Sequence, residues 1–172
     1  MRSSSKARRV LTVLGLAATA MVPLTAAQAS PAVDRQQASE YVIRTFDNKC
    51  LTVPSPDDGA PITQFDCDDR FFLRFRIVAV GGGQYEIRTF ADKCLDVKDR
   101  SPADGAPIIQ WSCNGGPNQR FRMVQTPDGY EIRTFADKCL DVKDRSPANG
   151  TPIIEYGCDG APNQRFTIER RL

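Results

Sequence analysis

Two kinds of residue in this 172-residue chain could do chemistry: clustered carboxylates and cysteines. Asp96 and Asp99 follow Cys94, and Asp141 and Asp144 repeat the pair after Cys139. Paired carboxylates hydrolyse glycosides when held roughly 5 to 10 Å apart with one pKa raised. Here each pair sits beside an open, charged loop such as Lys98-Asp99-Arg100, where nothing in the sequence calls for a raised pKa. Identical sites that occur twice favour multivalent binding over catalysis. The chain has no histidine to serve as a base. It carries no serine elbow and no phosphate loop. These residues are those of a binder, and we expect neither an independent enzyme nor a cofactor.

The six cysteines recur with a period. Cys50, Cys94 and Cys139 are 44 and 45 residues apart, and Cys67, Cys113 and Cys158 are 46 and 45 apart. Structural zinc sites use close C-x-x-C pairs, whereas no two cysteines here lie closer than 17 residues. Spacing alone leaves the disulfide connectivity open. The period favours one clip per unit: Cys50–Cys67, Cys94–Cys113 and Cys139–Cys158. Each would contribute about 3 kcal/mol in the chain-entropy picture.

The period extends to the whole chain. Cys94 to Cys113, followed by Asn118-Gln119-Arg120-Phe121, returns as Cys139 to Cys158 with Asn163-Gln164-Arg165-Phe166. An eroded copy runs from Cys50 to Cys67 and ends Phe72-Leu73-Arg74-Phe75. Between 85–123 and 130–168, 30 of 39 positions are identical, the mark of a duplication. Each unit reads as four short strands, at 85–90, 94–97, 107–111 and 119–123 in the second. Asp128-Gly129 turns the chain into the next unit. Three such units are too few to close a propeller. They do close as a β-trefoil, a six-stranded barrel capped by three hairpins. The predicted fold is all-β, with repeats at 40–84, 85–129 and 130–172. Phe75, Phe121 and Phe166 should converge on the pseudo-threefold axis.

The first 29 residues read as a secretory signal peptide. Arg2, Lys6, Arg8 and Arg9 precede the apolar run Val10–Thr25 and the A-x-A site Ala27-Gln28-Ala29. A short polar tail, 30–39, follows. Without the four leader cations the chain holds 19 Lys+Arg against 21 Asp+Glu, a net of −2. That balance leaves no basic footprint for nucleic acid. No later stretch is apolar for long enough to insert in a membrane. An exported chain with an even cysteine count is expected to be disulfide-bonded and extracellular.

The three repeats of Cys-Leu-Asp-Val, Gly-x-Pro-Ile-x-x-aromatic-x-Cys and Asn-Gln-x-Phe resemble the ricin B-chain-type lectin repeat. That family includes the family 13 carbohydrate-binding modules, and the resemblance covers about 41–172. It implies a β-trefoil that binds sugars without cleaving them. By resemblance, an Asp accepts bonds from sugar hydroxyls, an aromatic stacks on the sugar ring, and an Asn completes the hydroxyl contacts. These are Asp96, Trp111 and Asn118 in the second unit and Asp141, Tyr156 and Asn163 in the third. Gln119 and Gln164, with Phe121 and Phe166, are structural in the same pattern. The chemistry is sound in itself. An aromatic ring matches the C–H face of a pyranose, a carboxylate accepts from neighbouring hydroxyls, and an amide offers donor and acceptor together.

The chain departs from the pattern in places. The first unit has Thr52 for the Asp and Phe72-Leu73 for Asn-Gln, and keeps only the aromatic, Phe65. It should hold no working site. Ile109 and Ile154 stand where family members often carry Gln, while Gln110 and Glu155, one step later, should face the other side of a regular strand. The expected partners are galactose-, xylan- or arabinan-type glycans, and the oligomeric state is open. A β-trefoil protease inhibitor acting through a loop such as 101–105 is the alternative, as is a protein-interaction domain whose sugar sites have been lost. In a blander reading Asp96 and Asp141 merely cap turns. Arg44, Arg88 and Arg133 are expected to be solvated or ion-paired strand faces instead of a binding stripe.

Overall fold

The computed structural model describes residues 39–171, which form twelve short strands with no α-helix among them. The leader at 1–29, and the tail up to residue 38, lie outside the described residues. The first unit holds β1 (Glu40–Arg44), β2 (Cys50–Thr52), β3 (Thr63–Phe65) and β4 (Phe75–Gly81). The second holds β5 (Gln84–Arg88), β6 (Cys94–Val97), β7 (Ile108–Trp111) and β8 (Arg122–Thr126). The third holds β9 (Gly129–Arg133), β10 (Cys139–Val142), β11 (Ile153–Tyr156) and β12 (Thr167–Arg170).

The pairing closes on itself. β1 is antiparallel to β4 and to β12, β4 to β5, and β8 to β9. Single bridges, Tyr85 to Phe121 and Tyr130 to Phe166, join the second unit to itself and the third to itself at the equivalent seams. The cycle β1-β4-β5-β8-β9-β12 is thus a six-stranded barrel, which removes the open edges that invite aggregation. The remaining strands form hairpins β2–β3, β6–β7 and β10–β11. Bridges Pro61–Ile109, Thr63–Pro152 and Pro107–Ile154 link these hairpins in a triangle. Barrel and triangle together are a β-trefoil, as the repeat count predicts.

The core repeats three times as well. Phe75, Phe121 and Phe166 are fully buried in one cluster with the triplets Ile43/Ile87/Ile132, Leu51/Leu95/Leu140, Val53/Val97/Val142 and Ile62/Ile108/Ile153. Each such side chain contributes about 1.5–3 kcal/mol on burial. The disulfides are Cys50–Cys67, Cys94–Cys113 and Cys139–Cys158, spanning 17, 19 and 19 residues, and no cysteine is left free.

Two expectations about strands need correction. The strand expected at 119–123 begins instead at Arg122, and Pro117–Gln119 form a 3₁₀ turn closed by Arg120 N–H donating to Pro117 O at 3.1 Å. Pro117 presets that turn, and both amide side chains point inward from it, Asn118 and Gln119 being buried. The strand expected to reach Phe90 ends at Arg88, because the chain turns through Asp92 at φ 60°. The Asp128-Gly129 turn is where expected. Gly129 has φ +126°, and a Cβ there would lie 2.6 Å from Phe166 O, so only glycine fits.

Candidate functional site

The β6–β7 hairpin sorts its residues onto two faces. Asp96 pairs across the ladder with Ile109 and Cys94 with Trp111, while Leu95 pairs with Gln110 and Val97 with Ile108. Leu95, Val97 and Ile108 face the core. Asp96, Ile109 and Trp111 line a pocket of about 410 Å³, whose lining also includes Asn118. Strand alternation and the twist of the hairpin therefore put the carboxylate, the aromatic and an apolar floor residue on one surface. The third unit copies this register, with Asp141 opposite Ile154 and Cys139 opposite Tyr156. The six residues expected to bind are thus placed as two matched trios.

Within each trio the burial is graded. Asp96 and Asn118 are buried at 5% and 4% exposure, as are Asp141 and Asn163 at 6% and 4%, while Trp111 and Tyr156 stand out at 44% and 46%. An exposed ring over a buried polar base is the shape that suits a sugar with one apolar face and a rim of hydroxyls. Wider and less hydrated than a phenol, the Trp111 indole offers the larger platform.

Gln119 has a more direct part than a turn filler. Its Nε2 donates to Asp96 Oδ2 at 2.8 Å and to Ser112 O at 3.2 Å, and its Oε1 accepts from Asn114 N–H at 2.8 Å. Gln164 repeats the clamp on Asp141 Oδ2 at 2.9 Å, on Gly157 O at 2.9 Å and with Asp159 N–H at 3.0 Å. The Asn118 and Asn163 Nδ2 groups donate to Val97 O and Val142 O at 3.2 Å. A carboxylate has about four acceptor positions. The glutamine uses one of them, which leaves acceptor capacity for ligand hydroxyls. Asp96 and Asp141 are therefore each held by a glutamine side chain instead of capping a turn.

The expectation of an ordinary pKa at these carboxylates is also corrected. Burial pushes both Asp96 and Asp141 up, and the hydrogen bonds from Gln119 or Gln164 and Asn118 or Asn163 draw them partly back. Backbone and charge around them were equally hidden from sequence reasoning. Lys98, Asp99 and Arg100 line the pocket instead of being merely an exposed loop. Asp99 and Arg100 sit at φ 57° and 52°, and Asp144 and Arg145 at 57° and 53°. Two successive non-glycine residues in the left-handed region are costly, and the conformation carries the Arg100 guanidinium to Asn118 Oδ1 at 3.2 Å. In the third unit Arg145 contacts Asp159 instead, at 3.5 Å. Gly59, from the loop of the preceding unit, forms part of the pocket wall beside Trp111.

The first unit lacks the trio in a coherent way. Thr52 replaces the carboxylate, and Leu73, fully buried with Val42 and Cys50, replaces the glutamine that would clamp it. Phe72 takes the asparagine position, and the Arg70 guanidinium lies over both Phe65 and Phe72, at 5.3 and 4.6 Å from the ring centroids. The protein's own cation thus sits against the aromatic platform. Elsewhere the recurring arginines are ion-paired: Arg44 with Glu169, Arg88 with Glu86, and Arg133 with Glu131, each at 2.8 Å. The clusters Glu86/Cys94/Cys113 and Glu131/Cys139/Cys158 contain disulfide sulfurs, which are not thiolate ligands.

Residues 73–156 match the family described as ricin-type beta-trefoil lectin domain-like. The designed threefold-symmetric protein ThreeFoil is 33% identical, with a TM-score of 0.74 over 77% of this chain and 99% of that one. An exo-beta-1,3-galactanase from Clostridium thermocellum is 31% identical at a TM-score of 0.75, over 77% of this chain but 30% of the galactanase. The C-terminal half of an earthworm R-type lectin, solved with GalNAc, shares the fold at 19% identity and a TM-score of 0.61, over 77% and 99% of the two chains. No curated protein matches the sequence. The chain belongs to the ricin-type β-trefoil lectin-like family.

Proposed function

We propose that this chain is a secreted carbohydrate-binding protein that holds glycans non-covalently at two sites, in its second and third units. The fold and its lectin and galactanase-related neighbours support carbohydrate binding in general. The observation that carries the two-site reading is the duplicated trio: a clamped carboxylate and an exposed ring on one face of a hairpin, with a buried amide from the 3₁₀ turn that follows. The ligand class is galactose- or xylose-type, arabinan included. Three disulfides agree with an extracellular destination reached after cleavage near Ala29.

Each site is shallow, and an affinity near 1 mM corresponds to about −4 kcal/mol. Two sites on one rigid body gain from effective concentration on a polymer or glycan surface. The test is a glycan-array and insoluble-polysaccharide screen of the oxidised mature chain beside an Asp96→Ala/Asp141→Ala double mutant. Retention by the wild type and loss by the folded mutant are expected. Equal retention by both would remove these carboxylates from the site, and no retention by either would redirect attention to a protease panel.

A further inference from the structure

Two of the three hairpins are tied to a neighbouring unit by a glutamine one position before the exposed aromatic. Gln64 Nε2 donates to Ser146 O at 2.8 Å and Ala148 O at 3.1 Å. Gln110 Nε2 donates to Ser55 O and Asp57 O, both at 2.8 Å. Each glutamine thereby pins the loop of a neighbouring unit, and both are fully buried. The third copy of this position is Glu155. Its backbone is placed as theirs are: Gly105 N–H donates to Glu155 O at 2.8 Å, as Gly59 N–H does to Gln110 O and Gly150 N–H to Gln64 O. By the threefold its side chain is directed at Ser101 O and Ala103 O.

A glutamate there changes the chemistry. Where the amide offers two N–H donors to two carbonyls, an ionised carboxylate offers none. Glu155 is fully buried, and neither of its carboxyl oxygens has a hydrogen-bond partner among the described residues. The charged groups around it do not rescue it. Lys138 on the turn after β9 is engaged with Asp104 of the 101–105 loop, and Asp104 itself opposes ionisation. Thr134, just past the end of β9, brings a hydroxyl near it. Burial is the largest influence and raises the carboxyl above its ordinary range, with Thr134 and Lys138 drawing it partly back.

We propose that Glu155 is a protonation-controlled latch between the second and third units. The neutral carboxyl donates its O–H to a carbonyl of the 101–105 loop and holds that loop against β11, in the manner of its two glutamine counterparts. Ionisation sets a carboxylate against carbonyl oxygens and loosens the loop. That loop stands to the third site as the Gly59 loop stands to the second, where Gly59 lines the pocket. Glu155 also lies between Ile154 and Tyr156 on β11. The third site is therefore tighter at mildly acidic pH and the second site is not so controlled. This last step rests on the sugar-binding reading, and the latch itself does not.

The sign follows from linkage. A carboxyl raised in the folded state binds more protons there than in the unfolded chain, so its stability is complete below the unfolded value, about pH 4.3. It is lost as pH rises through the folded value. The test compares urea denaturation of the oxidised wild type and Glu155→Gln from pH 4 to 8. The expected result is an unfolding constant of the wild type that rises relative to the variant by up to about tenfold per pH unit within the window. A ratio independent of pH would overturn the latch. So would stabilisation of the wild type, and not of the variant, by added sodium or calcium, which would make the oxygen cluster a cation site. In a second arm, both proteins carry Trp111→Ala so that only the third site remains. Retention on the glycan found in the screen, taken with Glu155 present relative to the Glu155→Gln variant, should weaken from pH 5.5 to 8. Equal pH profiles would detach the latch from the site while the denaturation arm still decides the latch.

Discussion

Replacing Gln119 by Leu is the change that most directly tests how the second site is held together. Gln119 makes one charge-assisted bond, to Asp96, and two neutral ones, to Ser112 O and from Asn114 N–H. A bond to a charged group contributes about 1.5–3 kcal/mol and a neutral one about 0.5–1.5. The neutral partners lie near the surface and regain water, so the single variant should lose about 3 kcal/mol. The first unit shows how the sequence can do without the clamp, since Leu73 there is accompanied by Thr52. Asp96→Thr added to Gln119→Leu should therefore recover stability by removing the buried, unclamped carboxylate. A double-mutant cycle should give a coupling of about 2 kcal/mol. The assay is equilibrium urea unfolding at pH 7 with the disulfides intact, on the wild type, both single variants and the double. Costs that add to within about 0.5 kcal/mol would refute the coupling and with it the view that Gln119 exists to hold Asp96. All three variants should lose binding at the second site.

Glycan retention should fall as pH drops into the raised titration range of Asp96 and Asp141, because a protonated carboxyl surrenders acceptor capacity; a titration of retention between pH 7 and 3.5 checks this, and a profile flat to the ordinary carboxylate range would count against it. These two groups have folded values raised by burial, so their own contribution to stability runs the other way: it is present below about pH 4 and fades as pH rises. Verified reduction of the three disulfides should lower the melting temperature steeply, each clip accounting for about 3 kcal/mol, and an unaltered melt would contradict that. Gly129→Ala should destabilise by more than Gly82→Ala, since both have positive φ but only at Gly129 does backbone stand 2.6 Å from the new Cβ; equal costs by denaturation would show that the seam at Phe166 yields.

The fold was legible because it is written three times. Repeated Cys, Phe and Pro-Ile positions reveal a unit, four short strands per unit limit its closure, and three units leave the trefoil. The disulfides follow from the same period. Candidate site residues were legible as types at matched offsets: Asp96, Trp111 and Asn118 reappear as Asp141, Tyr156 and Asn163. Alternation along β7 also put Gln110 away from the pocket, as its bonds to Ser55 O and Asp57 O bear out.

Contacts between units were not legible, because a linear period describes what each unit contains and not which neighbour it meets. Gln110 reaches back 55 and 53 residues to the first unit's loop, and Gln64 reaches forward 82 and 84 to the third's. Gly59 reaches the second pocket across the same kind of seam. The open-looking surroundings of Asp96 became a buried base only when the 3₁₀ turn at 117–119 folded Gln119 underneath it. Sequence alone determined the repeat, the strand alternation and the residue types at each position, since these depend on local order. Tertiary structure decided which carboxylates are buried, which amide clamps them and which loop faces Glu155, because desolvation and hydrogen bonding depend on what closure brings together.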